Sequence, residues 1–323
     1  MLANYVQHFG VEPTQFKSPL ERNDHPEINT SPLLDGEDIT IYQSLIGALQ
    51  WCVTLGRFNI MTPVMTMASF QAAPRIGHLD SLKQIYGYLQ KHKSGAIRVR
   101  TGQPDYTQDE HLDYDWMRTV YGKVREVIPE DLPIPLGLPV ITTTYEDANL
   151  YHDLMTGRAV TGILHFVNGT PVEWFSKRQD TVETATYGSE FLTARIAIEQ
   201  IIDLRMTLRY LGEPLEGPAY MFGDNQSVIT SSTIPHSRLS KRHNALSYHR
   251  VREAIAARIL RFKFIAGVEN PADILSKHCG YTQLWPHIKP LLFWMGSEST
   301  IVSTDGNKVP ITKTSCGPAP GYT

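Results

Sequence analysis

Ala219-Tyr-Met-Phe-Gly-Asp224-Asn-Gln-Ser-Val-Ile229 is a short apolar run that ends at an acidic residue and gives way to polar, helix-opening residues. The pattern predicts a strand running into a helix, with Asp224 at the mouth of the strand. A sheet fixes the backbone there while the end stays wet, which suits a carboxylate gripping a hard cation beside a phosphate. The same position suits a plain helix cap. The company of Asp147, Glu190 and Asp273 raises the first reading.

Upstream, a helix is predicted from about Thr184 to Leu211, with Phe191, Ala194, Ile198, Ile201 and Leu208 at spacings of three and four and Gly212 as its stop. Glu190 falls in its first turns. Before it, Val140-Ile-Thr-Thr-Thr-Tyr145 reads as a strand ending at Glu146-Asp147, and Val160 to Val167 and Pro171 to Ser176 flank Asn168-Gly169 as a hairpin. Downstream come a short helix, a basic loop, a helix from about Asn244 to Arg258, an alternating strand Ile259 to Ile265, and a helix with Asn270 as cap, Pro271 at its first position and Asp273 close behind. Pairing of the first strand with the 219–223 strand makes Asp147 and Asp224 neighbours. Each acid also has a plain reading as a turn, solvent-side or first-turn residue.

Four acids gathered in a packed domain raise one another's pKa unless a divalent cation neutralises them. Oxygen-only ligands select Mg²⁺, with Mn²⁺ able to substitute, and two such ions with substrate serve phosphodiester hydrolysis.

The 323-residue chain, 41% hydrophobic, has room for one large or two ordinary domains. Its net charge of −3 excludes a uniformly basic nucleic-acid glove, so any phosphate-binding surface is regional. Cys52, Cys279 and Cys316 form no CxxC pair, so neither a disulfide partner nor a zinc site is expected. No stretch reaches membrane-span length, and an intracellular setting, cytoplasmic particle or nucleus, is expected. Residues 1–37, with Pro13, Pro19, Pro26 and Pro32, read as an extended connector; 38–100 as a small helical segment; 101–139 as an acidic, Pro-rich linker with one short helix around Tyr114–Gly122; 140–278 as an α/β domain; and 279–323 as a C-terminal tail.

Glu146-Asp-Ala-Asn, Gly157-Arg-Ala-Val-Thr-Gly162, Pro171-Val-Glu-Trp-Phe-Ser-Lys177, Gly188-Ser-Glu-Phe191, Gly223-Asp-Asn-Gln-Ser227, Lys241-Arg-His243 and Ala272-Asp-Ile-Leu-Ser-Lys277 together resemble the ribonuclease H domain of Ty1/copia-type retrotransposon Pol polyproteins. The resemblance implies a ribonuclease H-like mixed sheet flanked by helices, hydrolysis of the RNA strand of RNA–DNA hybrids, and a catalytic and metal-binding tetrad at Asp147, Glu190, Asp224 and Asp273. Residues 38 to 97 are similar, more loosely, to the segment after the reverse transcriptase palm, but Arg57-Phe-Asn-Ile60 departs from that family's pattern. The chain contains no Asp-Asp dipeptide, so polymerase activity is not expected of it. It reads as a C-terminal piece of a longer polyprotein, whose remainder is then a further partner.

For the grip on hybrid, the basic stretch Ser237–His243 offers Lys241, Arg242 and His243, followed by Arg250; Asn225 and Gln226 are candidates for sensing 2′-hydroxyls. The plain readings are a solvated face and a helix cap. His278 follows the last acid and is expected at the surface or as a cap. Two readings compete with the nuclease: a catalytically silent nucleic-acid-binding remnant, and a structural module docking on a separate palm.

Overall fold

The computed structural model describes residues 1–106, 114–239 and 241–294. Four helices open the chain: α1 (Leu2–Phe9), α2 (Gly36–Thr54), α3 (Met61–Ala68) and α4 (Ile76–Lys91). A short strand, β1 (Gly95–Ile97), follows. The second half holds β2 (Thr142–Asn149), β3 (Val160–Val167), β4 (Thr170–Arg178), α5 (Thr186–Tyr210), β5 (Ala219–Gly223), α6 (Gln226–Thr233), α7 (Ala245–Ala256), β6 (Leu260–Phe264), α8 (Asp273–Ser276), α9 (Tyr281–Ile288) and β7 (Leu292–Trp294).

Five strands form a mixed sheet in the order β4-β3-β2-β5-β6. β2, β3 and β4 are an antiparallel meander, whereas β5 runs parallel to β2 and β6 parallel to β5. The hairpin between β3 and β4 turns through Asn168-Gly169, with Asn168 at φ 52°, the left-handed backbone that a two-residue hairpin needs. This is the ribonuclease H-like mixed sheet, flanked by helices and preceded by a helical segment, that the sequence predicts.

Strand alternation gives the sheet two buried faces. Ile163, Met221 and Phe262 face α5 and α7, packing against Phe191, Ala194, Ile198 and Val251. Leu164 and Phe166 join the core of the helical segment, built by Leu45, Ile46, Leu82 and Ile85 and extended by Leu275, Leu284 and Ile288. Thr62 of α3 donates to the Ile274 carbonyl at 2.9 Å, and Phe58 lies 5.5 Å from Trp174. The helical segment is therefore one layer of the fold rather than a bead beside it.

Four expectations change. The connector over residues 1–37 opens with α1, whose Tyr5 is buried against Tyr86. The tail contains α9 and β7, and β7 pairs antiparallel with β1; the part beyond Trp294 lies outside the described residues. Residues 114–122 form turns instead of a helix. The linker also docks: Glu126 accepts from Arg205 and from Arg209 at 2.8 to 3.0 Å, and Arg252 stacks 4.9 Å from the Trp116 ring. Tertiary partners far away in sequence decide each of these, so local propensity could not.

Candidate active site

The carboxylates come from four elements. β2 carries Asp147, and the parallel register Thr143↔Tyr220 and Tyr145↔Phe222 brings Asp224, one residue past β5, to the same end of the sheet. Glu190 lies in the second turn of α5. In the turn before it Gly188 packs under the Glu183 carboxylate, with which a Cβ there would collide. Asp273 opens α8. Opposite Asp147 on β3 stands Gly162, where a Cβ would come within 2.8 Å of α8 backbone atoms, so the missing side chain lets α8 approach the sheet.

One oxygen each from Asp147, Glu190 and Asp224 lie within 4.8 Å of one another. Asp273 is not in that group of three. It is joined to the site through Lys277, whose ammonium pairs with Asp273 and lies 3.3 Å from Asp147 Oδ2. Ser276 donates to the same Asp147 oxygen. Asp147 and Glu190 are buried, and Glu190 Oε2 has no hydrogen-bond partner. Burial pushes the Asp147 carboxyl up to about 6, with Lys277 opposing and Asp273 adding to the rise. Burial also raises Glu190, well above the usual range, and Asp224, both with help from neighbouring acids.

Sequence reasoning missed two residues. Lys277 stands four positions after Asp273, just past the end of α8, a spacing that could have announced the pair. Glu146 was hidden by alternation, which sends it to the opposite face from Asp147. There it is 1% exposed, faces α5 and lies over Gly223, and its Oε2 is unpartnered. Burial, together with Asp147 and Asp224, holds it well above the usual carboxylate range.

The other candidates divide. Asn225 caps α6, accepting from Ser227 N at 3.1 Å and Val228 N at 3.2 Å, so capping belongs to it and not to Asp224. Gln226 is exposed and donates to Thr230. Lys241 reaches Thr184 at 3.3 Å and His243 reaches Glu183 at 3.1 Å, which sets the basic loop against the start of α5, the end that carries Glu190; Arg242 is exposed beside them. Arg250 is tied to Glu199 at 2.8 and 3.0 Å and to Glu253 at 3.1 Å. His278 is buried rather than at the surface. Its ring packs 4.8 Å from that of His152, and burial, with His152 and His25 adding to the effect, lowers it to about 3.

A mixed five-stranded sheet flanked by helices, with carboxylates gathered at one end of its central strands, is a ribonuclease H-like fold. No protein-family model matches the chain. Its homologues include retrotransposon Pol polyproteins. It is 24% identical over 237 residues to the retrovirus-related Pol polyprotein from transposon TNT 1-94 of Nicotiana tabacum, covering 73% of this chain and 15% of that one. To the transposon Ty5-1 protein of Saccharomyces cerevisiae it is 26% identical over 182 residues, 54% of this chain and 48% of that one. The chain thus spans less than half the length of either relative. Among solved structures, RNase H1 from Halobacterium salinarum aligns with 42% of this chain and 93% of its own at 15% identity and a TM-score of 0.33. The foamy viral protease-reverse transcriptase dRH in complex with double-stranded DNA aligns with 74% of this chain and 33% of its own at 12% identity and a TM-score of 0.38. No helix among the described residues is long and apolar enough to cross a membrane.

Proposed function

We propose that the chain is a Mg²⁺-dependent endonuclease that hydrolyses the RNA strand of RNA–DNA hybrids, with Asp147, Glu190, Asp224 and Asp273 as its metal-binding and catalytic acids. The observation that carries this reading is the convergence of Asp147, Glu190 and Asp224, from a strand, a helix and a strand end, to within 4.8 Å. The donor set fits the group: it is oxygen-only, as Mg²⁺ and Mn²⁺ prefer, and the buried Glu190 Oε2 lacks any other partner. Two ions bound there with substrate would activate water and neutralise charge on the leaving oxygen.

The chain's own groups supply positioning. Ser276 orients the Asp147 carboxylate, joined in the free chain by Lys277, and Asn270 holds the loop ahead of α8 by donating to the Glu146 carbonyl at 2.8 Å. Lys241, Arg242 and His243 are the candidate phosphate contacts beside the α5 end of the site, with Asn225 and Gln226 at the start of α6, next to Asp224, as candidates for 2′-hydroxyls. Arg250, held by two glutamates, contributes to packing between α5 and α7 instead. The homologues favour a role as the ribonuclease H portion of a Pol polyprotein, whose remainder would be a partner.

The deciding experiment incubates a labelled RNA–DNA hybrid with Mg²⁺ and compares wild type with Asp224→Asn. Cleavage by wild type and loss of at least a hundredfold in the variant is expected. Equal cutting by both would remove the assigned site, and binding without cutting by both would make the chain a silent remnant.

A further inference from the structure

The four acids are not equally available to metal. Asp147, Glu190 and Asp224 converge as a trio, while the space between Asp147 and Asp273 is bridged by the Lys277 side chain. Helical spacing explains why Lys277 meets Asp273, four residues earlier. It does not explain the reach across to Asp147 on β2, which the close approach of α8 over Gly162 makes possible. Among the described residues Lys277 is the one cationic side chain in ion-pair contact with any of these acids. Its ammonium therefore neutralises charge at a point where a divalent ion shared by Asp147 and Asp273 would sit, and the two cations repel.

We infer that Lys277 is a built-in competitor for one cation position: the free protein takes up one divalent ion, at Asp147, Glu190 and Asp224, and admits a second only when the ammonium swings away from Asp147 and Asp273. The side chain has somewhere to go. It is 35% exposed and borders a polar cavity of about 120 Å³ whose lining includes Asp273 itself together with Arg22, Asp24, His25, His152 and Gln283, so that Asp24 offers the ammonium a second carboxylate. A lysine suits this exchange because its charge is a compact point on a flexible four-carbon stem. Displaced from the carboxylates, the ammonium becomes available to a substrate phosphate, which would couple loading of the second ion to hybrid binding. That last step rests on the proposed nuclease reading; the competition itself does not.

Mn²⁺ alone is the probe. Ions bound per full-length chain are counted by electron paramagnetic resonance and by calorimetry, without nucleic acid, for wild type, Lys277→Met and Lys277→Arg, with urea midpoints checking that each is folded. One ion is expected in wild type and in the charge-preserving arginine variant. Two are expected in the methionine variant, the second bound at least tenfold more tightly than any second ion in wild type. Equal stoichiometry and affinities in wild type and Lys277→Met, or two ions in wild type, would overturn the competition. Absence of Mn²⁺ binding in all three would overturn both this inference and the proposed metal site. One ion in wild type and methionine variant alike, with hybrid still cleaved, would sink the lysine role alone.

Discussion

Replacing Asp147 by Asn, in chelator, should change how stability depends on pH, and the sign follows from burial. The carboxyl stands at about 6 in the folded chain against an ordinary 3.8. Between those values the folded state holds a proton that the unfolded chain has released, so the group's contribution is fully present below pH 3.8 and is lost as pH rises through 6. A difference of about two units corresponds to roughly 3 kcal/mol. The buried histidines act oppositely: His278, lowered to about 3, and His165, lowered to about 4, favour folding more as pH rises towards 6.5. They are common to both proteins and cancel in the comparison. Urea unfolding from pH 4 to pH 8 in EDTA should therefore show Asp147→Asn gaining on wild type by roughly 3 kcal/mol, most of it between pH 4 and pH 6.5, at unchanged m-value. Mg²⁺ at pH 8 should then stabilise wild type and not the variant. A pH-independent difference, or a variant that loses ground as pH rises, would refute the view that buried like charges are held together at a cost.

Two other perturbations test the surroundings. Glu126→Ala leaves the buried Arg205 and the half-buried Arg209 without their shared carboxylate; a loss of about 3 kcal/mol is expected, together with faster proteolysis between residues 114 and 136, and an unchanged cleavage pattern would show that the docked strap does not depend on this contact. Replacing Lys241 and Arg242 together by Ala should weaken hybrid binding and flatten its salt slope by about two ions, whereas Arg250→Ala should leave that slope alone; identical slopes in all would remove the basic loop as a phosphate contact.

Much of the fold was legible because its signals are local. The β-branched run of β2, the alternation of β6, the Asn168-Gly169 turn, the three-and-four spacing of α5 and the apolar run ending at Asp224 each report backbone geometry within a few residues. The four acids were legible as types and positions, and their order along the chain was enough to suggest a shared edge. What failed did so for a common reason. A proline-rich stretch looks extended whether or not Glu126 finds two arginines on α5, and a histidine after the last acid looks exposed until His152 and Thr66 close around it.

The sequence by itself determined the five strands of the mixed sheet and the long helix α5, the oxygen-only character of the candidate ligands and the likeness to retrotransposon ribonuclease H domains. Tertiary structure alone decided which acids meet. The β2–β5 register brings Asp147 and Asp224 to one end of the sheet, where Glu190 of α5 meets them, and the close approach of α8 over Gly162 leaves Asp273 joined to them through Lys277. Those contacts depend on distances of a few ångströms between segments tens of residues apart. The strand mouth at Gly223-Asp224 is thus a helix entrance capped by Asn225, which frees the aspartate for the carboxylate cluster.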